Sequence, residues 1–197
     1  MPELKYTINV ESLKAKLAKV AQATKSPDMM QVSQSFMLSL IQDHIAQLGQ
    51  TRHNTANRLG ATPTRHYNAD AVLPGVVDST SASIEVNITG IQRAYQDLTI
   101  TPINGKYLTI PVSAISYGYK VSELQAQGYK IFRPKGKKVL GYSVKEQGKK
   151  STFVALYALS EGVFQAQDSS LMPPNDDIEA AFVHGAEEYL KAITPKG

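Results

Sequence analysis

A stripe of apolar residues at helical spacing runs through the first third of the chain. Its members between residues 29 and 48 recur at intervals of three or four: Val32, Phe36, Met37, Leu40, Ile41, Ile45 and Leu48. This spacing places them on one face of an α-helix that packs against a core. Pro27 disfavours helical dihedrals at Ser26, and Gly49 is typical of a helix end. The sequence therefore predicts a helix over residues 29–48.

Patterns of helical period also occur at both ends of the chain. Within residues 1–25, alternation from Leu4 to Val10 predicts a strand, and the spacing after Leu13 predicts a helix, together forming a peripheral arm. A last helix is expected to begin near Asn175, because the adjacent acidic pair suits the positive end of a helix dipole.

The middle of the chain alternates between apolar and polar residues, which is typical of strands. Strands are predicted over residues 83–88, 129–133, 138–145 and 152–159, and a short helix over residues 119–127. Asn104-Gly105 favours a tight turn and predicts a hairpin between residues 98–103 and 106–112. The turn formers Pro134-Lys135-Gly136 lie within a basic hairpin region, residues 130–150.

Helical patterns at both ends with antiparallel strands between them are typical of an α+β fold. We expect residues 1–197 to form a single α+β domain. A curved antiparallel sheet would pack against the long helix and the C-terminal helix. The content of 42% hydrophobic and 19% charged residues favours a folded domain. Cysteine is absent, which excludes disulfides and thiolate metal sites. No apolar run approaches the roughly 20 residues that span a bilayer, so no membrane partner is expected.

Charge is unevenly distributed along the chain. Residues 130–150 contain one acid, Glu146, and the basic residues Lys130, Arg133, Lys135, Lys137, Lys138, Lys145, Lys149 and Lys150. The acids gather nearer the C-terminus: Asp168, Asp176, Asp177, Glu179, Glu187 and Glu188. Regions of opposite charge favour a fixed register between neighbouring copies or partners.

The sequence lacks the common motifs of catalysis. The histidines are not arranged as metal ligands, and neither a phosphate-binding loop nor a nucleophile elbow is present. We therefore expect no enzyme activity, no catalytic residue, no cofactor and no metal ion. His53 and His66 each follow an arginine, a pattern that would suit holding a phosphate or polarising a substrate. The favoured interpretation is a polar connector, and an enzyme acting on nucleic acid or cell wall is the alternative.

The basic segment supplies the candidate functional residues. Arg133, Lys135, Lys137 and Lys138 surround one predicted turn, beside the aromatic Phe132. Such a turn would contact nucleic-acid phosphates or a neighbouring protein surface. The alternative is a solvated turn whose lysines prevent unwanted strand pairing.

Several short motifs, in a fixed order, resemble a virion morphogenesis family of tailed phages. The motifs are Asn57–Thr64 (NRLGATPT), Tyr67–Ala71 (YNADA), Gly90-Ile91, Thr101–Pro111 (TPINGKYLTIP), Ala114, Tyr117-Gly118, Phe132–Lys137 (FRPKGK) and Leu171–Pro174 (LMPP). They cover the chain from about residue 30 onward. One departure is Gln96-Asp97, at a place where many members carry a pair of glycines.

This resemblance implies a structural protein of the head–tail junction, acting in tail completion or as a neck protein. It implies a ring of about six copies, built from contacts between unlike patches of neighbouring copies. The partners would be other copies, the tail tube or neck proteins, and genome DNA passing through the ring. The location would be the virion, assembled in the host cytoplasm. The alternative function is a small DNA-binding module that uses the basic hairpins of residues 130–150.

Overall fold

The computed structural model describes residues 26–64, 66–145, 147 and 150–194, together with Ala18, Ala21, Gln22 and Thr24. It confirms the α+β class, with a long helix in the N-terminal half, a C-terminal helix and antiparallel strands. The strand predicted near the N-terminus lies outside the described residues. Of the helix predicted after it, Ala18, Ala21 and Gln22 are described, and all three are helical.

The regular elements follow the predicted order. The α-helices are α1 (Pro27–Thr51), α2 (Asn54–Leu59), α3 (Val121–Ala126) and α4 (Asn175–Ile193). The strands are β1 (Val72–Val77), β2 (Ala82–Val86), β3 (Leu98–Ile100), β4 (Leu108–Pro111), β5 (Val139–Val144), β6 (Thr152–Ser160) and β7 (Val163–Gln165). Short 3-10 helices span Ala69–Ala71, Ile91–Ala94 and Ser169–Leu171. Within this described part of the chain, no helix is long and apolar enough to cross a membrane.

The strands form three small antiparallel sheets. β1 pairs with β2, β3 pairs with β7, and β6 lies between β4 and β5. The hairpin predicted at Asn104-Gly105 is therefore wrong, because the strands on its two sides belong to different sheets. Asn-Gly favours a local turn, but β3 and β4 find their partners in β7 and β6, much later in the chain.

The long helix is longer than predicted at both ends. It begins at Pro27, whose missing backbone N–H costs nothing because donors in the first turn have no acceptor within the helix. The Ser26 hydroxyl accepts a hydrogen bond from the Asp28 amide at 3.1 Å. Gly49 does not end the helix, which continues to Thr51. A side chain at residue 49 would lie 2.6 Å from the carbonyl oxygen of Tyr67, so close packing explains this glycine.

Contacts within the chain gather into two compact units, each built from separated segments. The first unit contains the described residues up to Ala46, Asn68–Ile91 and Met172 onward, and the second contains Gln47–Tyr67 and Gln92–Leu171. Each unit combines helices with antiparallel strands, and the single domain stays a prediction.

In the first unit, α1 is fastened to both the β1–β2 pair and α4. The Gln34 side-chain amide donates hydrogen bonds to the carbonyls of Gly75 and Ser83, at 3.0 and 2.7 Å. Gly185 of α4 lies directly against the backbone of Ser33 in α1. The buried apolar residues of this unit are Met29, Met37, Ile41, Ile45, Val72, Ile88 and Met172. The predicted apolar stripe of α1 thus supplies much of the core.

In the second unit, the three-stranded sheet packs around a core of Leu124, Leu156 and Tyr157. Tyr157 is 1% exposed, and its hydroxyl donates a hydrogen bond to the carbonyl of Tyr119 at 2.9 Å. Burial, assisted by the charge of Glu123, raises the pKa of the Tyr157 phenol. This core holds the β5–β6 side of the sheet, which carries the basic turn described below.

Candidate functional site

The predicted basic turn is present between residues 134 and 137. The amide of Lys137 donates to the carbonyl of Pro134 at 3.1 Å, and Gly136 supplies a φ of +75°, which favours glycine. The Nε–H of Arg133 donates to the carbonyl of Lys137 at 2.7 Å. The strand predicted just before the turn is reduced to a single bridge between Phe132 and Gly141. Arg133 therefore stabilises the turn through this hydrogen bond and also adds a positive charge to it.

Three cationic groups gather around the ring of Tyr107. The charged groups of Lys106, Arg133 and Lys138 lie 5.6, 5.1 and 5.9 Å from the ring centroid. These distances fall within the range of about 6 Å in which an aromatic ring attracts a cation. We call Lys106, Tyr107, Arg133 and Lys138 the Tyr107 cluster.

One acid balances part of the charge in the Tyr107 cluster. Lys138 Nζ lies 3.1 Å from a carboxylate oxygen of Glu161, and both side chains are more than half exposed. The hydrogen bond and charge of Lys138 lower the pKa of the Glu161 carboxyl. Three cations against one carboxylate leave the cluster positively charged.

The structure brings together two of the four predicted site residues and leaves the other two on the turn. Arg133 and Lys138 join the Tyr107 cluster, whereas Lys135 and Lys137 are exposed on the turn itself. Sequence patterning missed Lys106 and Tyr107, because they lie on the approach to β4, far from the turn in sequence. The available signal is the basic and aromatic pair Lys106-Tyr107, which follows Asn104-Gly105 in the segment predicted as the second strand of a hairpin.

An exposed aromatic pair adjoins the turn in sequence and space. The rings of Phe132 and Phe153 meet edge to face at 5.6 Å, with exposures of 45% and 36%. Gly141 lies beneath Phe153, and a side chain at that glycine would collide with the ring. Proteins that bind single-stranded nucleic acids combine exposed aromatic rings, which stack on the bases, with cations that contact the phosphates.

The histidines fall into two groups. In the first unit, His44 is half-buried in α1, and the ring of His184 meets Phe36 edge to face at 5.1 Å. His53 and His66 instead line one cleft in the second unit, together with Arg52 and Arg93. The sequence linked these two histidines because each follows an arginine, but it did not predict that they line the same cleft. Across the described residues, no cluster of three or more His, Asp or Glu could hold a metal ion.

Asp168 is not part of an acidic surface, although the sequence grouped it with the C-terminal acids. Its carboxylate accepts a hydrogen bond from Arg52 at 2.5 Å, and Arg93 Nη2 lies 3.8 Å away. Hydrogen bonds from Arg52 and then Ser170 lower the pKa of Asp168 to about 2. Asp168 therefore anchors two arginines inside the second unit.

The other C-terminal acids do line α4 of the first unit. Asp176 and Asp177 occupy its first turn, as predicted, and Glu179 and Glu187 are exposed. Lys191 Nζ lies 2.8 Å from a carboxylate oxygen of Glu188, and this contact lowers the pKa of that carboxyl. The helix therefore presents an acidic surface.

Comparison with known proteins assigns no family to this chain. No family model, curated protein or solved structure matches it.

Proposed function

We propose that the chain is a non-enzymatic structural protein of the head–tail junction of a tailed phage, where its copies form a ring that joins the tail tube to the head. The order of short motifs along the sequence supports this proposal. The structural observation that carries it is the exposed two-stranded sheet formed by β3 and β7.

The β3–β7 sheet exposes apolar side chains on both faces. Thr99 pairs with Phe164 and Ile100 pairs with Val163, so Phe164 and Ile100 point to opposite faces. Phe164 is 66% exposed and Ile100 is 36% exposed. A sheet of two strands is only marginally stable on its own in water. A neighbouring molecule that covers these faces would stabilise it.

The outer edges of the β3–β7 sheet are also unpaired among the described residues. An open strand edge offers backbone donors and acceptors to another chain. Nearby in sequence, Tyr95 and Ile103 are 61% and 94% exposed. Exposed apolar side chains on a sheet with open edges are typical of protein contacts. We therefore assign the β3–β7 sheet to the contact between neighbouring copies.

Charge complementarity adds a second contribution to assembly. The first unit carries the acidic surface of α4, and the second unit carries the Tyr107 cluster and its basic turn. Unlike patches of this kind suit the head-to-tail contacts of a ring. Such contacts would guide the register of copies and weaken at high salt.

Phe164→Glu should convert the assembled protein into monomers, because it places a charge on the buried face of the proposed contact. Val76→Glu is the matched control, since Val76 is also an exposed apolar residue (73%) but belongs to β1, outside both proposed contacts. Mass photometry of the full chain should show a ring for the wild type and the control, and monomers for Phe164→Glu. A wild-type chain that stays monomeric at its highest soluble concentration would contradict self-assembly through this sheet.

A second candidate function is a small DNA-binding module. The observation that favours it is the Tyr107 cluster, in which exposed cations adjoin the exposed Phe132–Phe153 pair. Both this module and a ring with DNA in its lumen would use the basic turn for phosphate contacts.

Changing Lys135, Lys137 and Lys138 to glutamate should weaken duplex DNA binding and reduce its salt dependence. Each lost phosphate contact lowers the slope of log affinity against log salt by about 0.9. In the matched control, Arg58, Lys120 and Lys191 are changed to glutamate, which alters the net charge by the same amount away from the basic turn. Fluorescence anisotropy over a salt series measures both slopes. Equal weakening by the two triple variants would show that the basic turn has no special role.

A further inference from the structure

We propose that the cleft of the second unit binds the phosphate of a small ligand of mononucleotide size. This site goes beyond the assembly function proposed above. The cleft has a volume of about 640 Å³, within the range of about 300–1,000 Å³ typical of small-molecule sites. All the described residues that line it belong to the second unit.

The charge of the cleft favours an anion. Its lining includes Arg52, His53, His66 and Arg93, and among the described residues it includes no Asp or Glu. Among the described residues, Asp168 is the carboxylate held against both guanidinium groups, at 2.5 and 3.8 Å. Two guanidinium groups against one carboxylate leave a net positive charge. A positive, concave surface concentrates anionic ligands.

The arginines are positioned before a ligand arrives. Arg52 is fixed by Asp168 and by the hydroxyl of Ser170. The Nε–H of Arg93 donates a hydrogen bond to the carbonyl of Ala166 at 3.2 Å. Nη2 of Arg93 lies 3.8 Å from the Asp168 carboxylate, beyond hydrogen-bond distance, so a phosphate could replace this loose ion pair with the two-pronged contact that guanidinium groups make. Fixing these side chains in advance reduces the entropy lost on binding.

Flat side chains form another part of the cleft wall and favour a ligand larger than free phosphate. The rings of His66 and Tyr67 meet edge to face at 4.9 Å, and Tyr117 and Pro111 also line the cleft. Aromatic faces of this kind stack against nucleobases and other flat groups. The lining therefore combines donors for a phosphate with a surface for the group that carries it.

Two glycines shape the walls of the cleft. Gly49 admits the Tyr67 carbonyl against α1, as described above. Gly118 has a φ of +80°, and a side chain there would lie 2.8 Å from Cγ2 of Thr64. Gly49 lets Tyr67 lie close to α1, which leads directly into Arg52, and Gly118 lets Thr64 approach the part of the wall that contains Tyr117. The concave shape thus follows from the sequence at these two positions.

The four histidines of the chain provide an internal test by nuclear magnetic resonance. The full chain is titrated at constant ionic strength with deoxyadenosine monophosphate, deoxyadenosine and inorganic phosphate, while the imidazole signals are followed. The monophosphate should shift the signals of His53 and His66 in a saturable way and leave those of His44 and His184 unchanged. Deoxyadenosine, which lacks the phosphate, should produce no comparable shift, and inorganic phosphate should bind more weakly.

Two variants and one control separate specific binding from general attraction. Arg93→Gln should weaken binding of the monophosphate by about tenfold or more, the usual effect of losing a charge-assisted contact. His66→Gln, at an exposed position less important for folding, should weaken it severalfold, with His53 still reporting. Arg133→Gln removes the same charge from the Tyr107 cluster and should leave the affinity unchanged.

Four results would overturn the proposal. Equal shifts with the monophosphate and deoxyadenosine would show that the phosphate is not recognised. Parallel shifts of all four histidines, or equal weakening by Arg93→Gln and Arg133→Gln, would show nonspecific attraction. Tighter cleft binding of a single-stranded oligonucleotide than of the mononucleotide would assign the cleft to a polymer backbone instead. None of these results depends on ring assembly, so this proposal can fail independently of the proposed function.

Discussion

Gly185→Val should lower the free energy of unfolding by about 3 kcal/mol, the upper part of the usual range for overpacking a buried contact. A Cβ at residue 185 would lie 2.6 Å from Cα of Ser33 and 3.1 Å from the Phe36 ring. The first of these atoms belongs to the backbone of α1 and cannot rotate away. The helices must therefore separate, which exposes apolar surface such as the ring of Phe36. Urea denaturation followed by circular dichroism measures the loss.

Ser33→Ala is the matched control on the opposite side of the same contact. The Ser33 side chain is fully buried, and its hydroxyl has no hydrogen-bond partner among the described residues. Removing an unpaired buried hydroxyl should leave stability unchanged or raise it by about 1 kcal/mol. If Ser33→Ala and Gly185→Val destabilise equally, the close crossing of α1 and α4 is not what makes Gly185 necessary.

Asp168→Asn should lower the free energy of unfolding by about 2 kcal/mol at pH 7. The folded pKa of Asp168 is about 2, below its usual value of 3.8, because Arg52 and Ser170 donate hydrogen bonds to the ionised carboxylate. A depressed folded pKa stabilises the protein above the unfolded pKa, and this stabilisation disappears as the pH falls through the folded value. The difference between wild type and variant should therefore shrink to about half by pH 3.

The comparison of pH 7 with pH 3 distinguishes this ion pair from simple packing. Asp43→Asn provides the control, because it makes the same chemical change at an exposed position of α1. It should change stability little at either pH. A loss for Asp168→Asn that is the same at pH 7 and pH 3 would mean that the Asn variant disturbs packing instead of removing charge.

The sequence predicted the helices, whose pattern is local, and missed the strand pairings that join segments far apart in the chain. The periodicity of α1 and the acidic start of α4 identified both helices, because buried faces leave a repeating pattern. The pairing of β3 with β7 left no such trace, since each strand has only three residues. The Asn-Gly pair was a valid signal for a turn, but tertiary pairing determined which strands joined.

The candidate site shows the same division. Arg133 and Lys138 flank one turn, so their grouping could be predicted from sequence alone. Tyr107 joins them only because β4 and β5 both pair with β6. The ion pair of Arg52 with Asp168 spans 116 positions in the chain. No periodicity or motif connects residues at that separation, which is why Asp168 was grouped with the wrong charges.

The proposed place at the head–tail junction is tested most directly by quantitative mass spectrometry of any tailed-phage particles purified from cells that carry the gene for this chain. The account predicts peptides of this protein in joined particles, at a copy number of about six, as expected for a closed ring. Particles in which heads and tails are joined but the protein is absent would contradict it.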